Sequence, residues 1–94
     1  MTGYEILFPM WWDWSLEKGY ITKGYFDVLK VQKGDAVYPV HFVTTAYLTK
    51  ELKVNKERGI NFWSKTNMII IESVSLADIV ACLNKLNDSF FETD

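Results

Sequence analysis

The chain has 94 residues, of which 49% are hydrophobic, 23% charged and 16% aromatic; this composition argues against disorder and predicts one domain over residues 1–94. The formal net charge of −2 gives no positive field that would attract nucleic acid or an anionic membrane. The single cysteine excludes an intramolecular disulfide, and neither an export signal nor a membrane-length apolar run is recognisable, so we expect a cytoplasmic protein.

The first half of the chain predicts three strands. Tyr4, Ile6 and Phe8 alternate with Glu5 and Leu7, which suits a first strand that Pro9 then ends. Residues 25–31 are dense in aromatic and β-branched side chains, and with residues 37–44 they predict a hairpin closed by turn-forming residues. Because Pro39 cannot donate to a β-ladder, we expect the return strand to expose that position at an edge or a bulge.

A change of period after the hairpin predicts the first helix. The hydroxyl of either Thr44 or Thr45 could cap it, and Gly59 is well placed to end it. Three apolar positions are expected to face inward, namely Tyr47, Leu48 and Leu52.

The last third of the chain predicts strands followed by a second helix. Residues 60–63 are a short strand candidate, and residues 68–71 are apolar at consecutive positions, which is typical of a strand at the centre of a sheet. Ser75 and Asp78 resemble a capping box, and apolar residues follow at helical spacing. The sequence therefore predicts an α+β fold with an antiparallel or mixed sheet of four to five strands and two helices packed on it.

No catalytic or metal-binding pattern is recognisable. The sole histidine, His41, lies in a predicted strand, and Cys82 lies in an apolar helical pattern, so neither a nucleophile with its base nor a ligand cluster is supported. No glycine-rich phosphate-binding motif is present. We therefore expect a protein that is not an enzyme and needs no cofactor.

The most unusual segment is residues 8–14, with three tryptophans within four positions. In a strand Trp12 and Trp14 would share a face, and in a helix Trp11 and Trp14 would, so at least one should be partly exposed. Exposed tryptophan is typical of binding hot spots, and Asp13 could pair with an incoming arginine or lysine. The alternative is that the tryptophans fill the ends of the core.

Acidic residues dominate the C-terminal stretch. From residue 66 onward, Lys85 alone faces five carboxylates, which are Glu72, Asp78, Asp88, Glu92 and Asp94. This end could steer a basic partner, with Glu72 and Asp78 as candidate contacts; the other candidate binding surface is formed by Trp11, Trp12, Asp13 and Trp14. A solvated helix face with a frayed tail is the alternative.

Residues 67–79, with the sequence NMIIIESVSLADI, precede an amphipathic helix and Phe90-Phe91. This ending resembles the strand-then-helix ending of small α+β immunity proteins, which neutralise bacterial polymorphic or contact-dependent toxins. The resemblance covers residues 60–91 and rests on apolar patterning and a capping turn. It implies a bacterial, non-catalytic protein that binds a toxin domain and blocks or distorts its active site, and it assigns no site residues.

Three functional hypotheses follow. The leading one is an immunity-type inhibitor whose partner is another protein, with a basic toxin domain as the candidate, and not a nucleic acid or a membrane. The second is a structural or assembly subunit in which a homodimer buries the same aromatic side chains. The third is a small enzyme or ligand-binding domain with an aromatic-lined pocket, which a defined cavity beside a group of perturbed pKa would favour.

Overall fold

The computed structural model describes residues 1–91, and the α+β fold predicted from the sequence is confirmed. The strands are β1 (Tyr4–Leu7), β2 (Tyr25–Phe26), β3 (Lys30–Lys33), β4 (Ala36–Pro39), β5 (His41–Val43) and β6 (Met68–Ile70). The helices are α1 (Glu17–Lys23), α2 (Thr45–Glu57) and α3 (Leu76–Lys85), with a 3-10 helix at Trp14–Leu16 directly before α1.

The strands form two sheets that differ in strand direction. In the first sheet the order is β1-β3-β4 and both pairings are antiparallel. In the second sheet β5 lies between β2 and β6, antiparallel to β2 and parallel to β6. Antiparallel and mixed pairing is therefore found, but the described residues form two sheets of three strands and not one sheet of four to five.

Each strand of the predicted hairpin divides between the two sheets. The chain leaves β2 after Phe26 and enters β3 at Lys30. In an unbroken strand Phe26 and Leu29 would point to opposite faces, because side chains alternate. The break lets both reach the core, where Phe26 is fully buried and Leu29 is 1% exposed. Val40 makes the matching break between β4 and β5, and its N–H donates to the carbonyl oxygen of Leu29 across 3.3 Å.

The sheet edges confirm one prediction and correct another. Pro39 ends β4 at the edge of the first sheet, where its missing N–H costs no ladder hydrogen bond. Residues 68–71 were predicted to form the sheet centre, but β6 is an edge strand and its Ile70 side chain is 51% exposed. The central strand is β5, whose Phe42 and Val43 are buried.

The predicted number of helices and the short strand predicted at residues 60–63 are both wrong. The sequence predicts two helices, but α1 adds a third, although Gly19 and the β-branched Ile21 are poor helix formers. The helix ends at Gly24, which adopts the left-handed conformation with φ 82°. Residues 60–63 contain no strand and belong to the connection between α2 and β6.

Helix α3 supplies the helical side of the core, as its apolar spacing predicts. The hydroxyl of Ser75 caps it by accepting a hydrogen bond from the N–H of Asp78 across 3.3 Å. Its buried residues are Leu76, Ile79 and Leu83. After the helix the chain folds back, and Phe91 stacks on Tyr38 with ring centroids 4.9 Å apart. The buried residues of α3 belong to the same core cluster as residues of both sheets, and burial of each such apolar side chain contributes roughly 1.5–3 kcal/mol to stability.

Helix α2 lies on the surface. It is capped as predicted, since Thr44 Oγ1 accepts a hydrogen bond from the N–H of Tyr47 across 3.2 Å, and Gly59 follows its end with φ 80°. No α2 residue is buried, and Leu52, predicted to face inward, is 37% exposed. The partly buried residues of α2 share one side of the helix; they are Tyr47, Leu48, Glu51, Val54 and Asn55.

Candidate functional site

The tryptophan segment is a turn followed by a short 3-10 helix, and therefore neither of the two regular structures considered from the sequence. The N–H of Trp12 donates to the carbonyl oxygen of Pro9 across 3.0 Å, which places Met10 and Trp11 at the tip of the turn. The Asp13 carboxylate then accepts a hydrogen bond from the N–H of Ser15, also across 3.0 Å, and caps the 3-10 helix. Asp13 thus has a structural role and remains exposed.

The prediction that at least one tryptophan is partly exposed is confirmed. Trp11 is 58% exposed, Trp14 is 63% exposed and Met10 is fully exposed at 104%. Leu16, in the same segment, is 37% exposed, and we call these four exposed residues of one segment the tryptophan patch (Met10, Trp11, Trp14 and Leu16).

Trp12 points the other way and joins the protein interior. Its ring centroid lies 5.2 Å from that of Phe26 and 5.8 Å from that of Tyr20. Its indole N–H is buried and has no hydrogen-bond partner within residues 1–91. Trp12 therefore belongs to the core, as one interpretation of the cluster predicts, whereas Trp11 and Trp14 lie on the surface, as the other predicts.

Aromatic neighbours hold the exposed ring of Trp14 in position. The Trp14 centroid lies 5.8 Å from Phe8 and 6.3 Å from Trp12, and its ring meets Trp12 edge to face. Edge-to-face contacts of this kind stabilise aromatic pairs. An exposed side chain that is already fixed loses less conformational entropy on binding, which favours a role as an anchor.

The two acidic residues predicted to bind a partner lie around the start of α3. Glu72 is exposed in the connection between β6 and α3, and Asp78 is exposed in the first turn of α3. The carboxylate of Asp78 also accepts a hydrogen bond from the Ser75 hydroxyl across 3.0 Å, so part of its role is to complete the helix cap. Glu92 and Asp94, counted in the acidic end of the sequence, lie outside the described residues.

One long-range contact brings the tryptophan patch beside the start of α3. The Glu17 carboxylate accepts a hydrogen bond from the N–H of Leu76 across 3.0 Å, although the residues are 59 positions apart. Glu17 follows Leu16 of the patch directly, so both predicted surfaces adjoin. We call the four carboxylates of these segments the acidic rim; they are Asp13, Glu17, Glu72 and Asp78. Within residues 13–18 and 72–78, Lys18 is their only basic counterpart.

Sequence reasoning missed three members of this surface. They are Met10, Leu16 and Glu17, none of which the sequence analysis singles out as a candidate binding residue. The position of Met10 between Pro9 and a tryptophan was the available signal, since proline often precedes a turn. No local signal marks Glu17, because its partner lies in a distant helix.

The surroundings of His41 and Cys82, the residues considered above as a base, a nucleophile or metal ligands, are those of residues that support the fold. His41 Nδ1 lies 2.7 Å from the carbonyl oxygen of Thr66 and donates to it, because a carbonyl oxygen only accepts. Burial raises the pKa of the Cys82 thiol, which keeps it protonated and weakly nucleophilic near neutral pH. Within residues 1–91, no group of three or more His, Cys, Asp or Glu side chains is arranged to hold a metal ion.

Comparison with known proteins finds no family model, no curated protein and no solved structure that matches this chain. In the part of the chain that the structure describes, no helix has the length and apolar character needed to cross a membrane.

Proposed function

We propose that this chain is a non-catalytic binding domain that binds another protein through the tryptophan patch. The observation that carries this proposal is the exposure of two neighbouring tryptophans, Trp11 at 58% and Trp14 at 63%. Tryptophan is enriched among the residues that dominate binding energy, because it offers a large apolar area together with an N–H donor. Fixing of the Trp14 ring by Phe8 and Trp12 supports its use as a binding anchor.

The proposed partner is a protein with a basic surface. The four carboxylates of the acidic rim lie in the two segments that the Glu17–Leu76 hydrogen bond joins, and Lys18 supplies the single ammonium group of those segments. Charged groups at the rim of an interface mainly increase the association rate and select the partner, while the apolar anchors supply most of the affinity. An arginine-rich or lysine-rich surface next to an apolar pocket complements both features.

Immunity-type inhibition is the specific form of this function that we propose. Two supports are the resemblance of residues 60–91 to immunity proteins and the acidic rim, which suits a basic toxin domain. Binding at the patch would then cover or distort the toxin's active site inside a bacterial cytoplasm. The proposal needs no catalytic residue of this chain.

Affinity capture from a lysate of the native host tests the proposal. The bait is compared with a Trp11→Ala/Trp14→Ala double variant, and with Phe62→Ala as a matched control, because Phe62 is 65% exposed outside the patch. Near-UV circular dichroism and denaturant unfolding establish that all three are folded. We expect one basic protein to be retained by the parent and the control, to be lost by the double variant, and to associate more slowly as salt rises.

A partner retained equally by the double variant would contradict the proposal. Capture of this chain alone, together with a dimer in solution that the double variant converts to a monomer, would replace it by the homo-oligomer alternative.

A further inference from the structure

A cavity of about 160 Å³ lies away from the tryptophan patch, between the second sheet and the start of α2. Its floor includes Phe42 of the central strand β5. The side chains around it come from β2, the β2–β3 connection, β5, α2 and the connection before β6; they are Tyr25, Asp27, His41, Tyr47, Trp63 and Lys65. This volume is well above the roughly 10–15 Å³ that one bound water molecule needs, so the cavity has room for a small group of several heavy atoms.

Three aromatic rings form the wall of this cavity. The centroid of Tyr47 lies 4.8 Å from that of Tyr25 and 5.9 Å from that of Trp63. The rings are inclined at 45° and 72°, so they enclose a concave space and do not stack flat on one another. An aromatic lining of this kind supplies electron-rich ring faces, which attract organic ammonium groups.

Carboxylates add negative charge at the cavity. Asp27 lies at its rim, and Glu51 lies one helical turn after Tyr47. Burial raises the pKa of Tyr47 to about 12, and the negative charges of Glu51 and Asp27 contribute to the increase. The Tyr47 ring therefore stays uncharged at neutral pH, and the field at its hydroxyl group is negative. Both features favour a cation over an anion in this space.

The aromatic wall already attracts the ammonium groups of this chain. Lys65 Nζ lies 5.9 Å from the centroid of Trp63, and Lys23 Nζ lies 5.9 Å from the centroid of Tyr25. Both distances are within the range of cation–π attraction. Lys65 is exposed and also lines the cavity, so its ammonium group would compete with an incoming cation for Trp63.

We propose that this cavity binds an organic ammonium group with alkyl substituents, such as a quaternary amine. The group would contact the faces of Tyr25, Tyr47 and Trp63 and displace the ammonium of Lys65 from Trp63. Two sources share this chemistry, namely a free small ammonium compound and the methylated lysine side chain of a partner protein. This site is separate from the tryptophan patch, and its occupancy does not depend on the function proposed for the patch.

Isothermal titration calorimetry with choline tests the inference, and 3,3-dimethylbutan-1-ol serves as the uncharged compound of the same shape. We expect saturable binding of choline and none of the neutral compound. Trp63→Leu and Tyr47→Leu should each weaken choline binding by about tenfold or more. The neighbouring exposed ring provides the matched control, so Phe62→Leu should leave the affinity unchanged. Lys65→Gln should strengthen binding, because it removes the competing ammonium.

The source of the ammonium group is distinguished by a second titration with a short peptide that contains trimethyl-lysine and with its unmethylated form. Tighter binding of the methylated peptide than of choline identifies a side chain as the ligand, and the reverse identifies a free compound. Equal binding of choline and its neutral analogue, or no binding of either by the folded parent, would overturn the inference. The Trp11→Ala/Trp14→Ala variant should bind choline as the parent does, which separates this result from the outcome for the patch.

Discussion

The Glu17 carboxylate accepts a hydrogen bond from the backbone N–H of Leu76 across 3.0 Å. The N–H belongs to the first residue of α3, whose first-turn donors have no partner within the helix. A carboxylate is the most favourable acceptor there, because it also interacts with the positive end of the helix dipole. One contact therefore stabilises α3 and ties the tryptophan patch to the most deeply buried helix.

Replacement of Glu17 by alanine tests this contact. We expect Glu17→Ala to lower the free energy of unfolding by about 1–2 kcal/mol, because a part-buried N–H loses a charged acceptor. Lys18→Ala, at the next position and exposed, should change stability by less than about 0.5 kcal/mol. Urea unfolding of both variants measures the difference, and equal stability of the two would show that the contact contributes nothing.

Alanine substitution should show that Trp12 is needed for stability, whereas Trp11 and Trp14 are not. Trp12→Ala is expected to cost roughly 3 kcal/mol, because it leaves a cavity beside Phe26 and Tyr20. Trp11→Ala and Trp14→Ala should each cost less than about 1 kcal/mol, because most of each side chain is exposed. Denaturant unfolding of the three variants provides the measurement. Similar losses for Trp12 and Trp11 would contradict their different placement.

The acid sensitivity of the fold should depend partly on Asp88. The backbone N–H of Thr2 lowers the pKa of this carboxyl group by hydrogen bonding, with Lys33 and the amino group of Met1 adding to the effect. A pKa that is lower in the folded state makes a contribution to stability that is complete above the unfolded value of 3.8 and is lost as pH falls through the folded value.

Asp88→Asn should therefore destabilise the protein near neutral pH and have less effect once pH falls below the lowered folded pKa of Asp88, where the parent has lost the same contribution. Unfolding measured by urea across this pH range provides the test. Asp35→Asn, an exposed substitution in the β3–β4 turn, is the control. A difference between Asp88→Asn and the parent that stays constant with pH would contradict the assignment.

A close approach at Gly24 should make this glycine the least replaceable in the fold. A Cβ atom at this position would lie 2.7 Å from Thr44 Oγ1, the cap of α2, and 3.3 Å from Tyr47 Cβ. Gly59 has a similar φ of 80° but open space around it. Both alanine variants carry backbone strain of about 1 kcal/mol, and Gly24→Ala should cost clearly more because the α2 cap must also move. Thermal unfolding compares them, and equal losses would exclude the steric effect.

Local patterns explain how much of the fold was predictable. The capping residue Ser75 and the apolar spacing of α3 depend on neighbouring positions, so the helix could be predicted with its cap. The break between Phe26 and Leu29 could not be predicted from local patterns. These two side chains would point to opposite faces of a continuous strand, and only the folded core requires both to be buried. The edge position of β6 was equally hidden, since a run of apolar residues does not reveal that Ile70 lacks a cover within the described chain.

In the candidate site, too, features that depend on neighbouring residues could be predicted, and features that depend on distant residues could not. Exposure of at least one tryptophan followed from side-chain direction alone, whereas the link from Glu17 to Leu76 spans 59 positions and has no sequence signal. The cavity was anticipated only as a general alternative. Its aromatic wall combines Tyr25, Tyr47 and Trp63 from three distant segments, and only the folded chain brings them together.

The dissociation constant of the captured partner for the Trp11→Ala/Trp14→Ala variant tests the central claim most directly, with Phe62→Ala measured alongside. If the tryptophan patch is the binding surface, the double variant should bind the purified partner at least about 30-fold more weakly, as expected for loss of a hot spot worth 2 kcal/mol or more, while Phe62→Ala binds as the parent does. A folded double variant that binds within about twofold of the parent would contradict the assignment of this surface.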